Sequence, residues 1–262
     1  MKIDFKGKKI NFDSKGEGKT VVFLHGFLEN STMWDFFADS LSRKFNVVVI
    51  DLPGHGESDV VAEIQSMELV AEVVKAVLDS LDIKKCMLVG HSMGGYASLA
   101  FADIYPAMLS GLVLFHSHAM EDNEQGKINR DRTVAIVEKN SADFVSMFIP
   151  DLFAPNNREK FNEVIERQKD FAKAMPKEGI IASLKGMKTR TSKLELLSQI
   201  DVPVMFIAGK EDSRIPVDKM MQQVALPKHS ELLLLGDTGH MSWVEEEEKT
   251  AVALFSFVLR NL

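Results

Sequence analysis

Val89-Gly90-His91-Ser92-Met93-Gly94-Gly95 decides the fold of this chain. It is a G-x-S-x-G sequence that follows a short apolar run, Cys86 to Val89, and precedes a stretch with helical spacing, Gly95 to Tyr105. A serine in a tight strand-to-helix turn is held in a strained conformation, and Gly90 and Gly94 leave room where side chains would collide. The turn also places the N–H of Met93 at a helix N-terminus, aimed where a negative oxygen would develop on a carbonyl attacked by Ser92.

Working outward, apolar runs bounded by Gly, Pro and Asp recur at Thr20 to Leu24, Val47 to Ile50, Leu112 to Phe115, Val204 to Ala208 and Glu231 to Leu235. Their near-continuous hydrophobicity predicts strands buried on both faces of a mostly parallel sheet. Helical spacing occupies Ser31 to Arg43, Ser66 to Leu81, Val217 to Val224 and Val244 to Leu259, so the class is α/β, doubly wound. Ile3 to Phe5 and Lys9 to Phe12 read as an edge hairpin. The alternation stops in 119–198, where helices are expected over Asn129 to Lys139, Ala142 to Ile149, Arg158 to Ala174 and Gly179 to Met187. The chain thus divides into a core of 1–118 and 199–262 and a helical cap of 119–198, together one domain. The run Glu245 to Glu248 reads as a solvated helix N-terminus.

A serine hydroxyl needs a base, and the base needs a group that fixes its tautomer. Asp212 lies just beyond the Val204 to Ala208 strand and His240 just beyond the Glu231 to Leu235 strand, at the sheet edge where Ser92 sits. Glu211 and Asp237 are alternative acids, with Asp212 preferred for its place at the strand end. Of the other histidines, His25 and His91 sit in tight turns that favour structural hydrogen bonding, whereas His116 and His118 follow the neighbouring strand. All four are candidates to line a substrate pocket, with Tyr96, Phe148, Phe153 and Trp243. The loop His25-Gly26-Phe27 supplies a second N–H, that of Phe27, to complete an oxyanion hole with Met93.

A net charge of -7 without a cluster of Lys and Arg excludes a nucleic-acid partner, and no apolar block is long enough for a membrane span or signal segment, so a cytoplasmic location is expected. Cys86, the single cysteine, reads as a small buried hydrophobe. Neither helical H-x-x-x-H nor paired cysteines occur, so no metal and no cofactor is expected.

HGF (25–27), DLPGHGES (51–58), GHSMGG (90–95), GKEDSRIP (209–216) and the Gly239-His240 pair resemble, in order and spacing, the α/β-hydrolase superfamily, specifically its small esterase, lactonase and carbon-carbon hydrolase group. The resemblance implies eight strands, a helical cap after the sixth, and catalytic roles for Ser92, Asp212 and His240, with oxyanion donors at Phe27 and Met93. HGFLENSTMW also looks like a menaquinone-pathway lyase, although Tyr96 stands where that lyase commonly has an arginine. A ligand-binding or signalling member of the fold is the alternative from another class. The expected reaction is cleavage of an ester, thioester or lactone through an acyl-enzyme. The apolar side chains Met147, Phe148, Phe153, Phe161, Phe171, Met175 and Met187 are expected over the cleft and favour a small-molecule substrate with an apolar portion.

Overall fold

The computed structural model describes residues 1–262. Its strands are β1 (Lys2–Phe5), β2 (Lys8–Lys15), β3 (Thr20–Leu24), β4 (Asn46–Ile50), β5 (Cys86–His91), β6 (Leu109–Phe115), β7 (Val204–Gly209) and β8 (Ser230–Leu235). They form one sheet in the order β1-β2-β4-β3-β5-β6-β7-β8. Only the β1–β2 and β2–β4 pairings are antiparallel; β4, β3, β5, β6, β7 and β8 run parallel. The eight-stranded, mostly parallel sheet implied by the resemblance is therefore present.

Period-two alternation explains why these runs are apolar throughout. Val22, Leu24, Val48, Ile50, Leu88, Leu112, Leu114 and Phe206 join the core on one face of the sheet, under α2 (Met67–Ser80) and α3 (Met93–Ile104). Val21, Phe23, Val47, Val49, Val89, Val113, Phe115 and Ile207 join the core on the other face, which also holds Trp34, Phe37, Leu254 and Phe257. The latter core is closed by α1 (Asp35–Leu41) and α10 (Glu247–Asn261). Because Leu24 pairs with Gly90, Phe115 with Ile207 and Gly209 with Leu235, the loops after these parallel strands emerge along one edge.

Between β6 and β7 the chain is helical: α4 (Glu124–Phe148), α5 (Asn162–Lys173), α6 (Lys177–Thr189) and the short α7 (Leu194–Gln199), with single 3-10 turns at Pro150–Leu152 and Pro155–Asn157. The two helices expected over 129–149 are one run bent at Asn140, whose backbone leaves the helical region while its side chain caps the next turn by accepting from Asp143 N. Two further helices, α8 (Val217–Val224) and α9 (Ser242–Glu245), flank the last strand. No helix is long and apolar enough to cross a membrane.

Candidate active site

Ser92 closes β5 and precedes α3 with φ 48° and ψ -109°, a left-sided backbone that an L-residue adopts only under constraint. The constraint is steric on both sides. A Cβ on Gly90 would lie 2.4 Å from Gly94 O, and one on Gly94 would lie 2.3 Å from Leu24 O, so the turn presses against itself and against β3. Ser92 N donates to Phe115 O at 2.9 Å, tying the turn to β6. The N–H groups of Met93 and Phe27 have no hydrogen-bond partner in the protein.

Asp212 and His240 meet across the loops after β7 and β8. His240 Nδ1 donates to Asp212 Oδ2 at 2.8 Å, and Asp212 Oδ1 accepts from Arg214 N and Ile215 N at 2.8 and 2.9 Å. A carboxylate only accepts, so the His240 proton lies on Nδ1 and Nε2 keeps its lone pair. Burial would raise the Asp212 pKa, but the attraction of the His240 imidazole and the hydrogen bonds from both imidazoles overcome it and hold the acid far below the usual carboxylate range.

His116 supplies the second imidazole. Its Nδ1 donates to the same Oδ2 at 2.8 Å, and its Nε2 accepts from Ser242 Oγ at 2.8 Å. Burial pushes its pKa down to about 4, against the pull of Asp212, so it is neutral at pH 7. His116, Asp212 and His240 offer donor atoms within 4.8 Å of one another, a span that a metal could bridge. Both Nδ1 atoms are committed to hydrogen bonds with Asp212.

His91 is different. Nδ1 donates to Glu29 Oε2 at 2.7 Å and Nε2 donates to His240 O at 3.0 Å. Both partners are acceptors, so His91 is an imidazolium paired with the Glu29 carboxylate. Burial opposes that charge, but Glu29 raises the His91 pKa above its ordinary value. Glu29 Oε2 also accepts from Gly26 N at 2.6 Å, whereas its Oε1 is buried without a partner. One ion pair thus joins the loop carrying Phe27 to the backbone of His240. Sequence reasoning did not single out Glu29, because an acid in a loop reads as solvated; the signal was its place two residues after HGF.

Glu245 corrects the expectation of a solvated charge run. It is buried, its Oε1 accepts from Gly239 N at 2.9 Å, and its Oε2 accepts from Ala154 N at 2.9 Å and Asn157 Nδ2 at 2.8 Å. It fastens the His240 loop to the helical segment, and α9 and α10 divide just after it.

A cavity of about 370 Å³ lies over this edge, lined by Ser92, His240, Phe27, His91, Tyr96 and Phe148 among the residues singled out from sequence. His25, His116, His118, Phe153 and Trp243 do not line it. His25 is used up in the loops, with Nδ1 donating to Gly26 O and Nε2 accepting from Leu52 N. His118 accepts from Met120 N and stacks edge-on to Tyr96. Phe153 is packed in the core against Phe161, and Trp243 lines a separate cavity with Phe171. Of the apolar side chains expected over the cleft, Phe148 and Met187 line it; Met147 is 65% exposed. Asp122, Asn129, Arg130, Thr133 and Arg214 share that wall with Phe144, Leu152, Leu184 and Ile215, so it is more polar than expected.

A family model described as alpha/beta hydrolase fold matches residues 19–247. Among curated proteins, the chain is 29% identical over 261 residues to the dihydrolipoyllysine-residue acetyltransferase component of the acetoin cleaving system of Pseudomonas putida, covering 95% of this chain and 66% of that protein, just under two thirds of its length. It is 27% identical over 271 residues to a 2-hydroxy-6-oxononadienedioate/2-hydroxy-6-oxononatrienedioate hydrolase of Paraburkholderia phymatum, covering 95% and 91% of the two chains. Among solved structures, a thermophilic esterase from Thermogutta terrifontis superposes with a TM-score of 0.92 at 30% identity, over 97% of this chain and 94% of that one.

Proposed function

We propose that this enzyme, which belongs to the alpha/beta hydrolase fold family across residues 19–247, cleaves a small ester, thioester or lactone through an acyl-enzyme on Ser92. Ser92 Oγ attacks the carbonyl carbon while His240 Nε2, whose lone pair is free because Nδ1–H is given to Asp212, takes the hydroxyl proton. Asp212 stabilises the imidazolium that forms. The unpartnered N–H groups of Phe27 and Met93 receive the negative oxygen of the tetrahedral intermediate, and His240 then returns the proton to the leaving oxygen or sulfur. Water, deprotonated by the same nitrogen, releases the acid. No step calls on a cofactor.

The observation that carries this reading is the strained Ser92 turn sharing one cavity with a histidine already oriented by a buried acid. Helices of 119–198 supply Phe148, Leu184 and Met187 to the cavity, which supports the cap reading and a substrate with an apolar portion. The thermophilic esterase and the oxononadienedioate hydrolase support cleavage at a carbonyl. Steady-state turnover of para-nitrophenyl esters tests it: Ser92→Ala is expected to lower kcat by about 10⁴-fold or more at unchanged thermal stability. Unchanged turnover in that variant contradicts the nucleophile assignment. Elimination by a lyase would proceed without acyl-enzyme, and a signalling member would show a single slow turnover.

A further inference from the structure

We propose that the cavity selects substrates bearing a carboxylate, which Arg130 and Arg214 bind while the scissile carbonyl meets Ser92. This rests on the serine-hydrolase reading and narrows its substrate class.

The charges around the cavity are unequally paired. Asp122 lies between two guanidiniums, accepting from Arg130 Nε at 3.0 Å and Arg190 Nη2 at 2.7 Å. Arg190 is buried and also donates to Met120 O and Met187 O, so it satisfies Asp122 and the backbone together. Arg130 gives only Nε to that acid, and its two terminal nitrogens make no hydrogen bond in the protein. A similar pairing recurs at the second arginine of the cavity, Arg214. Asp151 accepts from Arg158 Nη2 at 2.9 Å and from Arg214 Nη2 at 3.3 Å. Arg214 Nε is buried without a partner.

Two acids therefore face four guanidiniums, and each group keeps one net positive charge. The remaining acid on the cavity wall, Glu29, is already countered by the His91 imidazolium. Arg214 is only partly buried, and burial lowers its pKa against the pull of Asp151 and Asp212, so an anion brought by the substrate would add to its compensation. The Arg214 guanidinium lies 4.4 Å from the Phe148 ring centroid, which fixes its plane. A planar cation with free N–H edges matches a carboxylate in shape and charge. Arg130 comes from α4 and Arg214 from the loop that carries Asp212, so the two approach the cavity from different elements.

The test compares matched esters: mono-para-nitrophenyl adipate against para-nitrophenyl hexanoate for a carboxylate on the acyl side, and para-carboxyphenyl against para-carbamoylphenyl hexanoate for the alcohol side. In at least one pair the charged ester is expected to have a kcat/KM about tenfold higher, the order of a single solvent-screened charge contact. Arg130→Gln and Arg214→Gln should each lower that ratio several-fold through KM, with Arg130→Lys retaining part of it. A ratio taken within one variant does not depend on how much of the protein is folded. Turnover of neutral esters with ratios at or below one in both pairs, or a preference unmoved by both Gln variants, overturns the carboxylate subsite and leaves the serine hydrolase standing. Failure of wild-type enzyme to turn over any of the four esters overturns the underlying reading as well.

Discussion

Asp212 accepts four hydrogen bonds, two from backbone N–H groups and two from imidazoles, and this saturation keeps a buried carboxylate ionised. It also makes the residue intolerant of a change that removes only charge. In Asp212→Asn the amide NH₂ replaces either Oδ1, where it meets the N–H groups of Arg214 and Ile215, or Oδ2, where it meets the imidazoles; keeping the two backbone bonds turns it to the imidazoles, and a histidine that bonds to it must take the other tautomer. If that histidine is His240, Nε2 loses its lone pair. We expect kcat to fall by about 10⁴-fold, with far less change in KM. Steady-state kinetics at pH 7 checks this, and a loss below about tenfold would show that Asp212 does not orient the base.

At the level of elements, the site is a junction of loops fastened by buried acids. Glu245 ties the turn before α9 to the 3-10 segment at Pro155–Asn157, and Glu29 ties the loop after β3 to the end of β5. Glu245→Ala leaves the N–H groups of Gly239 and Ala154 without partners in a buried setting and should cost about 3 kcal/mol, read from a urea midpoint. A change below about 0.5 kcal/mol would mean that water replaces the carboxylate. These fasteners mark where the sequence stopped being legible. The strands, the Ser92 turn and the order of Ser92, Asp212 and His240 are local patterns, written in continuous apolar runs and short glycine-flanked motifs. Whether a charged residue is buried depends on what packs over it, so Glu245 read as solvated and Glu29 drew no notice. His116 was placed near the pocket, but not behind Asp212. The cavity wall is illegible for the same reason: apolar side chains of α5 pack away from it, whereas Arg130 and Arg214 line it.

For the whole molecule, the buried histidines set a pH dependence of stability. Burial pushes His55 down to about 3, His116 to about 4 and His118 to about 3, while His91 is raised by Glu29. A depressed histidine binds its proton more readily in the unfolded chain, so its contribution is complete above about pH 6.5 and is lost as the pH falls toward the folded value. Burial lowers His25 as well, and although His91 acts in the opposite sense, four lowered groups outweigh one. Stability should therefore decline from pH 7 to pH 4.5, before most carboxylates titrate, and urea unfolding across that range measures it. Flat or rising stability would mean that these imidazoles are charged in the native state.

Everything proposed for this site depends on Ser92 being a nucleophile activated by His240. Labelling with a fluorophosphonate, followed by mass spectrometry of the peptides, tests it most directly. One label is expected, on Ser92, formed at a rate that collapses in His240→Ala. A label elsewhere, or none on Ser92 in a folded protein that still turns over esters, would contradict it.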